Sequence, residues 1–270
     1  MSESVEKLTH VEHILKRPDS YVGPVSRVGE QYWIKDGDGF ERKTLVYAPA
    51  LLKIFDEILV NAIDRNSLYP KHVTSISIDI NKETGEVTIE NNGPLGGVSV
   101  KMHEKEQIWN PELVFGHLLT STNYDDTQER VVGGRNGYGA KLTNVYSSKF
   151  SIKIKDPENK FIYTQEWSDN MKTCKPPKMR NYSSATSSVC VKFTPDWSRF
   201  GMSMMDDHIY KIFEKRVYDA NICTTPGCKV KFQGTALPKT SFDMYAKMHT
   251  KSDEVRMFTS DRWSVCVVPA

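Results

Sequence analysis

Apolar residues recur along this chain with two different periods, and the switches between them mark out its elements. Leu51, Leu52, Phe55, Ile58, Leu59, Ala62 and Ile63 share one stripe at about 100° per residue, which predicts a helix docked on a core over residues 51–64. The same period appears in a short segment over residues 11–16, halted at Arg17-Pro18-Asp19 because proline disfavours helix in the residue before it. It returns at Leu113, Val114, Phe115, Leu118 and Leu119 after Pro111, at Leu142 and Val145, and over residues 206–219. Alternation with period two predicts strands at Tyr32-Trp33-Ile34 and Thr44-Leu45-Val46 around the turn-forming Asp36-Gly37-Asp38-Gly39. It also predicts a hairpin with one buried face, residues 74–80 and 87–89 joined through Lys82-Glu83-Thr84-Gly85. Later strands are predicted at 150–154, 161–163, 189–193 and 229–232. Residues 240–249 read as a boundary segment, and residues 263–268 as a strand with nothing after it to pair with. Strands interleaved with a few long helices, without regular strand-helix alternation, predict an α+β protein with a mixed sheet.

The polar positions of the 51–64 helix carry the first candidate chemistry. Glu57, Asn61 and Asp64, spaced i, i+4 and i+7, share a narrow sector opposite the apolar stripe, so a carboxylate and an amide stand side by side on a rigid element. Any one of them alone reads as the wet face of an amphipathic helix. Asn, however, is a mediocre helix former because its side chain competes for backbone hydrogen bonds. Two further stretches stand out. Glu90-Asn91-Asn92-Gly93-Pro94-Leu95-Gly96-Gly97 ends a strand, either as an ordinary loop or as a turn presenting amides to a ligand while the backbone approaches closely. Gly133-Gly134-Arg135-Asn136-Gly137-Tyr138-Gly139-Ala140-Lys141 places four glycines in seven residues at a helix start, where free backbone N–H groups suit an anion. It is not a Walker A loop, since Ala140 stands where that motif has lysine and no strand immediately precedes it.

Composition narrows the setting. With 270 residues and 39 % hydrophobic content the chain has material for one large domain, or one domain and the start of another. A net charge of +2 excludes a polybasic nucleic-acid binder, so any DNA contact is local. The polar start and the lack of a run near ~18 apolar residues predict a soluble protein that is not secreted. Five cysteines, an odd number, fit reduced thiols of a cytosolic or nuclear setting better than a disulfide frame. Cys223 and Cys228 lack the neighbours of a structural zinc site.

The Glu57/Asn61 helix, the Asn91-Asn92-Gly93 turn and the Gly134 to Lys141 loop follow one another in the order and approximate spacing of the Bergerat (GHKL) ATP-binding fold. Four stretches are closer still: Glu12-His13-Ile14-Leu15-Lys16-Arg17-Pro18-Asp19, Lys53-Ile54-Phe55-Asp56-Glu57-Ile58-Leu59-Val60-Asn61-Ala62, Leu119-Thr120-Ser121-Thr122-Asn123-Tyr124-Asp125-Asp126, and the glycine-rich segment 133–141. From about Leu8 onward the chain resembles the N-terminal ATPase region of eukaryotic and viral type II DNA topoisomerases.

The resemblance implies an α+β fold with a mixed, mostly antiparallel sheet and helices on one face. It divides the chain into an N-terminal strap over 1–25, an ATPase domain over 26–250 and the start of a truncated transducer domain over 251–270. It implies ATP and Mg²⁺ as cofactors, Glu57 as the general base that activates water, and Asn61 as the magnesium ligand. A carboxylate polarises water, and a neutral amide oxygen ligates a hard cation without adding charge beside it. Asn91 matches the position that reads the adenine amino group. Ser121, Thr122 and Asn123 would contact ribose and phosphate, and Gly134, Arg135, Asn136, Gly137, Tyr138, Gly139, Ala140 and Lys141 would wrap the triphosphate.

The implied function is an ATP-hydrolysing gate that closes as a homodimer on double-stranded DNA, in the nucleus or at a site of viral DNA replication. The alternatives are a nucleotide-dependent dimerisation module without hydrolysis, or a chaperone or mismatch-repair relative on the same fold. The family's Gln-Thr-Lys loop of the transducer and its DNA-cleaving tyrosine lie outside these 270 residues. Three positions depart from the family pattern: the Gly93–Gly97 turn is about two residues longer before His103, Arg65 follows Asp64 where Asn is common, and Lys192 replaces a Thr near adenine.

Overall fold

A computed structural model describes residues 7–118, 138–250, 252, 254–260 and 263–268. The apolar stripe of residues 51–64 lies on a helix that starts earlier and ends later, α2 (Pro49–Leu68), opened by Pro49, whose missing N–H costs nothing in a first turn. Its buried face is Ala50, Leu51, Ile54, Phe55, Ile58, Leu59 and Ala62, so Ile54 joins the stripe while Leu52 and Ile63 sit at its rim. Ahead of it come α1 (His10–Lys16), stopped at Arg17-Pro18 as predicted, and the hairpin β1 (Val28–Asp36) and β2 (Gly39–Tyr47).

The next nine strands form the main sheet. In chain order they are β3 (Ser75–Asn81), β4 (Glu86–Asn92), β5 (Ser147–Asp156), β6 (Phe161–Ser168), β7 (Thr173–Cys174), β8 (Lys178–Asn181), β9 (Ser188–Pro195), β10 (Lys229–Phe232) and β11 (Thr235–Ala236). The sheet runs β11-β10-β3-β4-β9-β5-β6-β7, with β8 also on β6; every pairing is antiparallel except β10 with β3. This is the expected mixed, mostly antiparallel sheet. Ile76, Ile78, Val87, Ile89, Ile152, Ile154, Val191 and Phe193 alternate onto its inner face and are buried. Helices α2, α4 (Gly139–Val145) and α5 (Asp207–Cys223) share the core with that face, α2 and α5 through Phe55 and Phe213 stacked 4.1 Å apart.

Three details differ from the sequence reading. The helix after Pro111, α3 (Asn110–Gly116), stops before Leu118: His117 is extended, and Gly116 lies so close to the Trp167 indole that a Cβ there would meet its Nε1 at 2.9 Å. The boundary segment holds a short helix, α6 (Phe242–Lys247), docked on the first hairpin: the Phe40 N–H donates to Met248 O at 2.7 Å and the His249 ring lies 4.6 Å from Phe40. The last strand, β13 (Ser264–Val267), does have a partner, and the partner precedes it: β12 (Arg256–Thr259); between them the Ser260 N–H donates to Trp263 O. No described helix is long and apolar enough to cross a membrane.

Candidate functional site

Glu57 sits where α2 meets the start of α4. One carboxylate oxygen is 2.5 Å from Lys53 Nζ, one helical turn earlier, and the side chain is 21 % exposed. The other faces Gly139 so closely that a Cβ on that residue would stand 2.0 Å from Glu57 Oε2. Only glycine admits the carboxylate here. The approach is fixed from the next turn of α4, where the Thr143 hydroxyl donates to Ile54 O at 2.8 Å. At its far end α4 is tied to the N-terminal segment, the Tyr146 hydroxyl donating to Ile14 O at 2.7 Å.

Asn91 lies on the inner face of β4 with Val87 and Ile89 and is 8 % exposed. Its amide nitrogen donates to Asn92 O at 3.1 Å, and its amide oxygen accepts no hydrogen bond among the described residues. The side chain is therefore oriented to receive a proton donor such as an exocyclic amino group. Asn92, on the outer face, is structural: its Oδ1 accepts from the N–H groups of Thr74 and Ser75, both at 2.9 Å. Gly93 follows at φ +104, with Val73 so near that a Cβ would meet it at 2.6 Å.

Of the residues predicted for the site, Glu57 and Gly139 are brought into contact. Asn61 is exposed one turn beyond Glu57, and its side chain makes no hydrogen bond among the described residues. Tyr138 is partly buried, Ala140 is buried, and Lys141 is 1 % exposed, its amine pushed down to about 8 by burial. Ser121, Thr122, Asn123, Gly134, Arg135, Asn136 and Gly137 lie outside the described residues.

Lys192 does not stand near Asn91. Its neighbours Val191 and Phe193 point inward, so Lys192 points to the opposite face, where it pairs with Glu86 at 2.9 Å. The residue registered across from Asn91 is Val189. Sequence reasoning also missed the supports of the turn after β4: the Arg65 guanidinium donates to Pro94 O, and the Ser187 hydroxyl donates to Gly93 O at 2.8 Å. Arg65 carried a signal, since it continues the Glu57, Asn61 spacing by one more turn.

No family model matches the chain. It is 44 % identical over 254 residues to DNA topoisomerase 2 of Penicillium chrysogenum, covering 93 % of this chain and 16 % of that protein. It is 41 % identical over 255 residues to DNA topoisomerase 2 of Saccharomyces cerevisiae, covering 94 % and 18 %. The chain thus spans less than a fifth of the length of these curated relatives. Among solved structures, the ATPase and transducer domains of DNA topoisomerase II from Balamuthia mandrillaris superpose with a TM-score of 0.91 at 37 % identity, over 98 % of this chain and 68 % of that one. The ATPase region of Saccharomyces cerevisiae topoisomerase II superposes with a TM-score of 0.92 at 39 % identity, over 97 % of this chain and 70 % of that one. Agreement in sequence and backbone across nearly the whole chain shows that it belongs to the type II DNA topoisomerase family and matches that family's ATPase region.

Proposed function

We propose that this chain binds and hydrolyses ATP as the N-terminal gate of a type II DNA topoisomerase. In the whole enzyme, ATP drives two protomers together and traps a DNA duplex for strand passage. The observation that carries the proposal is the Glu57 carboxylate held against Gly139, at the end of the glycine-rich segment. Glu57 takes the proton of the attacking water, and the Asn91 amide oxygen receives the adenine amino group. Ser121, Thr122, Asn123 and the segment from Gly134 to Lys141 complete the nucleotide contacts.

Asn61 suits Mg²⁺: a neutral amide oxygen, exposed and free of protein hydrogen bonds among the described residues, one turn from a carboxylate. When bound, the ion neutralises charge on the phosphates. Closure shifts the population because nucleotide binds the paired state better than the open one. The strap over residues 1–25 forms the dimer contact; within the chain the Tyr146 hydroxyl ties Ile14 to the end of α4. Residues 251–270 begin the transducer, and the enzyme acts on nuclear or viral DNA.

Glu57→Gln tests the reading. Turnover falls by about 10²–10⁴-fold, the scale of a lost general base, while ADP affinity stays as it was. A variant that hydrolyses ATP at the parent rate would remove Glu57 from the mechanism.

A further inference from the structure

Arg65 is the one basic residue on the stripe that begins with Glu57 and Asn61. At i, i+4 and i+8 the three side chains follow one line along α2, spanning about 12 Å of helix axis. Glu57 meets α4 at one end of that line, and Arg65 meets the turn after β4 at the other. Its guanidinium donates to Pro94 O, packs over the Tyr69 ring with 4.7 Å to the centroid, and lies beneath Gly96, where a Cβ would stand 3.1 Å from Arg65 Nη1. Gly96 itself is at φ +57. From the other side the turn is held by Ser187, whose hydroxyl donates to Gly93 O and whose carbonyl accepts from the Gly93 N–H at 3.2 Å.

This turn follows directly on Asn91. A lengthened loop there would leave the path beneath the base loose, and a side chain with a planar fork, stacked on an aromatic ring, gives it one path. We propose that Arg65 is a positioning residue that fixes the 93–97 turn beside Asn91 and so sets affinity for adenine over guanine at the nucleotide site. The inference rests on the ATP-site reading above. It assigns Arg65 no part in hydrolysis. Guanine presents a carbonyl oxygen where adenine presents an amino group, and the Asn91 amide oxygen repels it only while backbone and base keep their spacing.

The test is calorimetric titration of ADP and GDP into the 270-residue chain and into Arg65→Gln, Arg65→Lys and Ser187→Ala. Arg65→Gln weakens ADP by about tenfold, the scale of one charge-assisted hydrogen bond, and GDP by much less, so the ADP/GDP ratio narrows. Arg65→Lys, which keeps the charge without the fork, falls between the two. Should Arg65→Gln fail to fold, Ser187→Ala, which removes the other support of the same turn, shows the same narrowing to a smaller degree. Unchanged ADP affinity in the variants, or equal loss for ADP and GDP, would overturn the positioning role and leave the ATP site standing. Failure of the unaltered chain to bind either nucleotide would overturn both.

Discussion

Asp56 and Glu57 are neighbours on one helix and have opposite fates. Turned about 100° from Glu57, Asp56 takes both oxygens to Arg216 Nε, at 2.9 and 3.2 Å. Arg216 reaches on to Asp219 at 2.8 Å, and Asp219 binds Lys215 at 2.5 Å and the Tyr245 hydroxyl. Lys215 is almost wholly buried over the Phe40 ring, 4.4 Å from its centroid. Two carboxylates and two cations cancel. Burial alone would push the Asp219 carboxyl up, but Lys215, Tyr245 and Arg216 hold it below its ordinary value. Among the described residues Glu57 has instead one cation, Lys53, that is half exposed, and a glycine on its other side. A charge saturated by buried partners fixes helices, while a charge whose partner is solvated and whose other oxygen faces a glycine remains available for chemistry.

The comparison breaks most sharply at Gly139. Gly139→Ala would place a methyl group on the Glu57 carboxylate, the far end of a flexible side chain that swings aside at little cost. Steady-state assays should therefore show ATP turnover reduced by about 10²-fold or more, with stability within about 1 kcal/mol of the parent. Parent-like turnover would mean that the position of the Glu57 carboxylate does not matter, and the contrast with Asp56 would lose its meaning.

Arg216→Ala acts on the other member of the pair and in the other currency. It leaves Asp56 and Asp219 facing each other without the guanidinium between them. The side chains of Arg216 and Asp56 are about three-quarters buried, so the loss should be about 2–3 kcal/mol, or roughly 4–10 °C in a thermal melt. Glu57→Gln should leave the melt almost unmoved. Equal shifts for the two variants would show that both carboxylates are structural.

What could be read from the sequence follows the same division between local and distant. The α2 stripe and the hairpins were legible because 3.6- and 2-residue periods register burial on a single element. The facing of Lys192 was legible too, since alternation from Val191 and Phe193 turns it outward, but the family pattern drew attention to the wrong position. The Asp56–Arg216 pair was not legible: its members are 160 residues apart, and no local pattern encodes a contact made by docking two helices. The place of β9 between β4 and β5 is equally nonlocal. Of the site, Glu57, Asn61 and Asn91 stood out because polar residues with a spacing were set against apolar neighbours. The pinning of the turn by Arg65 and Ser187 depends on backbone carbonyls, which carry no sequence signature.

The mildest test sits on α4, at Lys141. Burial lowers its amine from 10.5 to about 8, so between those values the unfolded chain holds the proton that the folded chain has released. Stability contributed by this group therefore rises with pH across that window, and the full penalty of burying the charge is present below about 8. Nucleotide binding pulls the other way, because a phosphate favours the protonated amine. The phosphate's own last proton, with pKa about 6, is already gone in this range and cannot account for a change. ADP affinity should thus fall by about threefold or more per pH unit above 8, with proton uptake on binding at pH about 9 and almost none from Lys141 at about 7, seen by calorimetry in buffers of different ionisation enthalpy. Flat affinity across the window would place Lys141 with Asp56 and Arg216, among the charges that hold the fold.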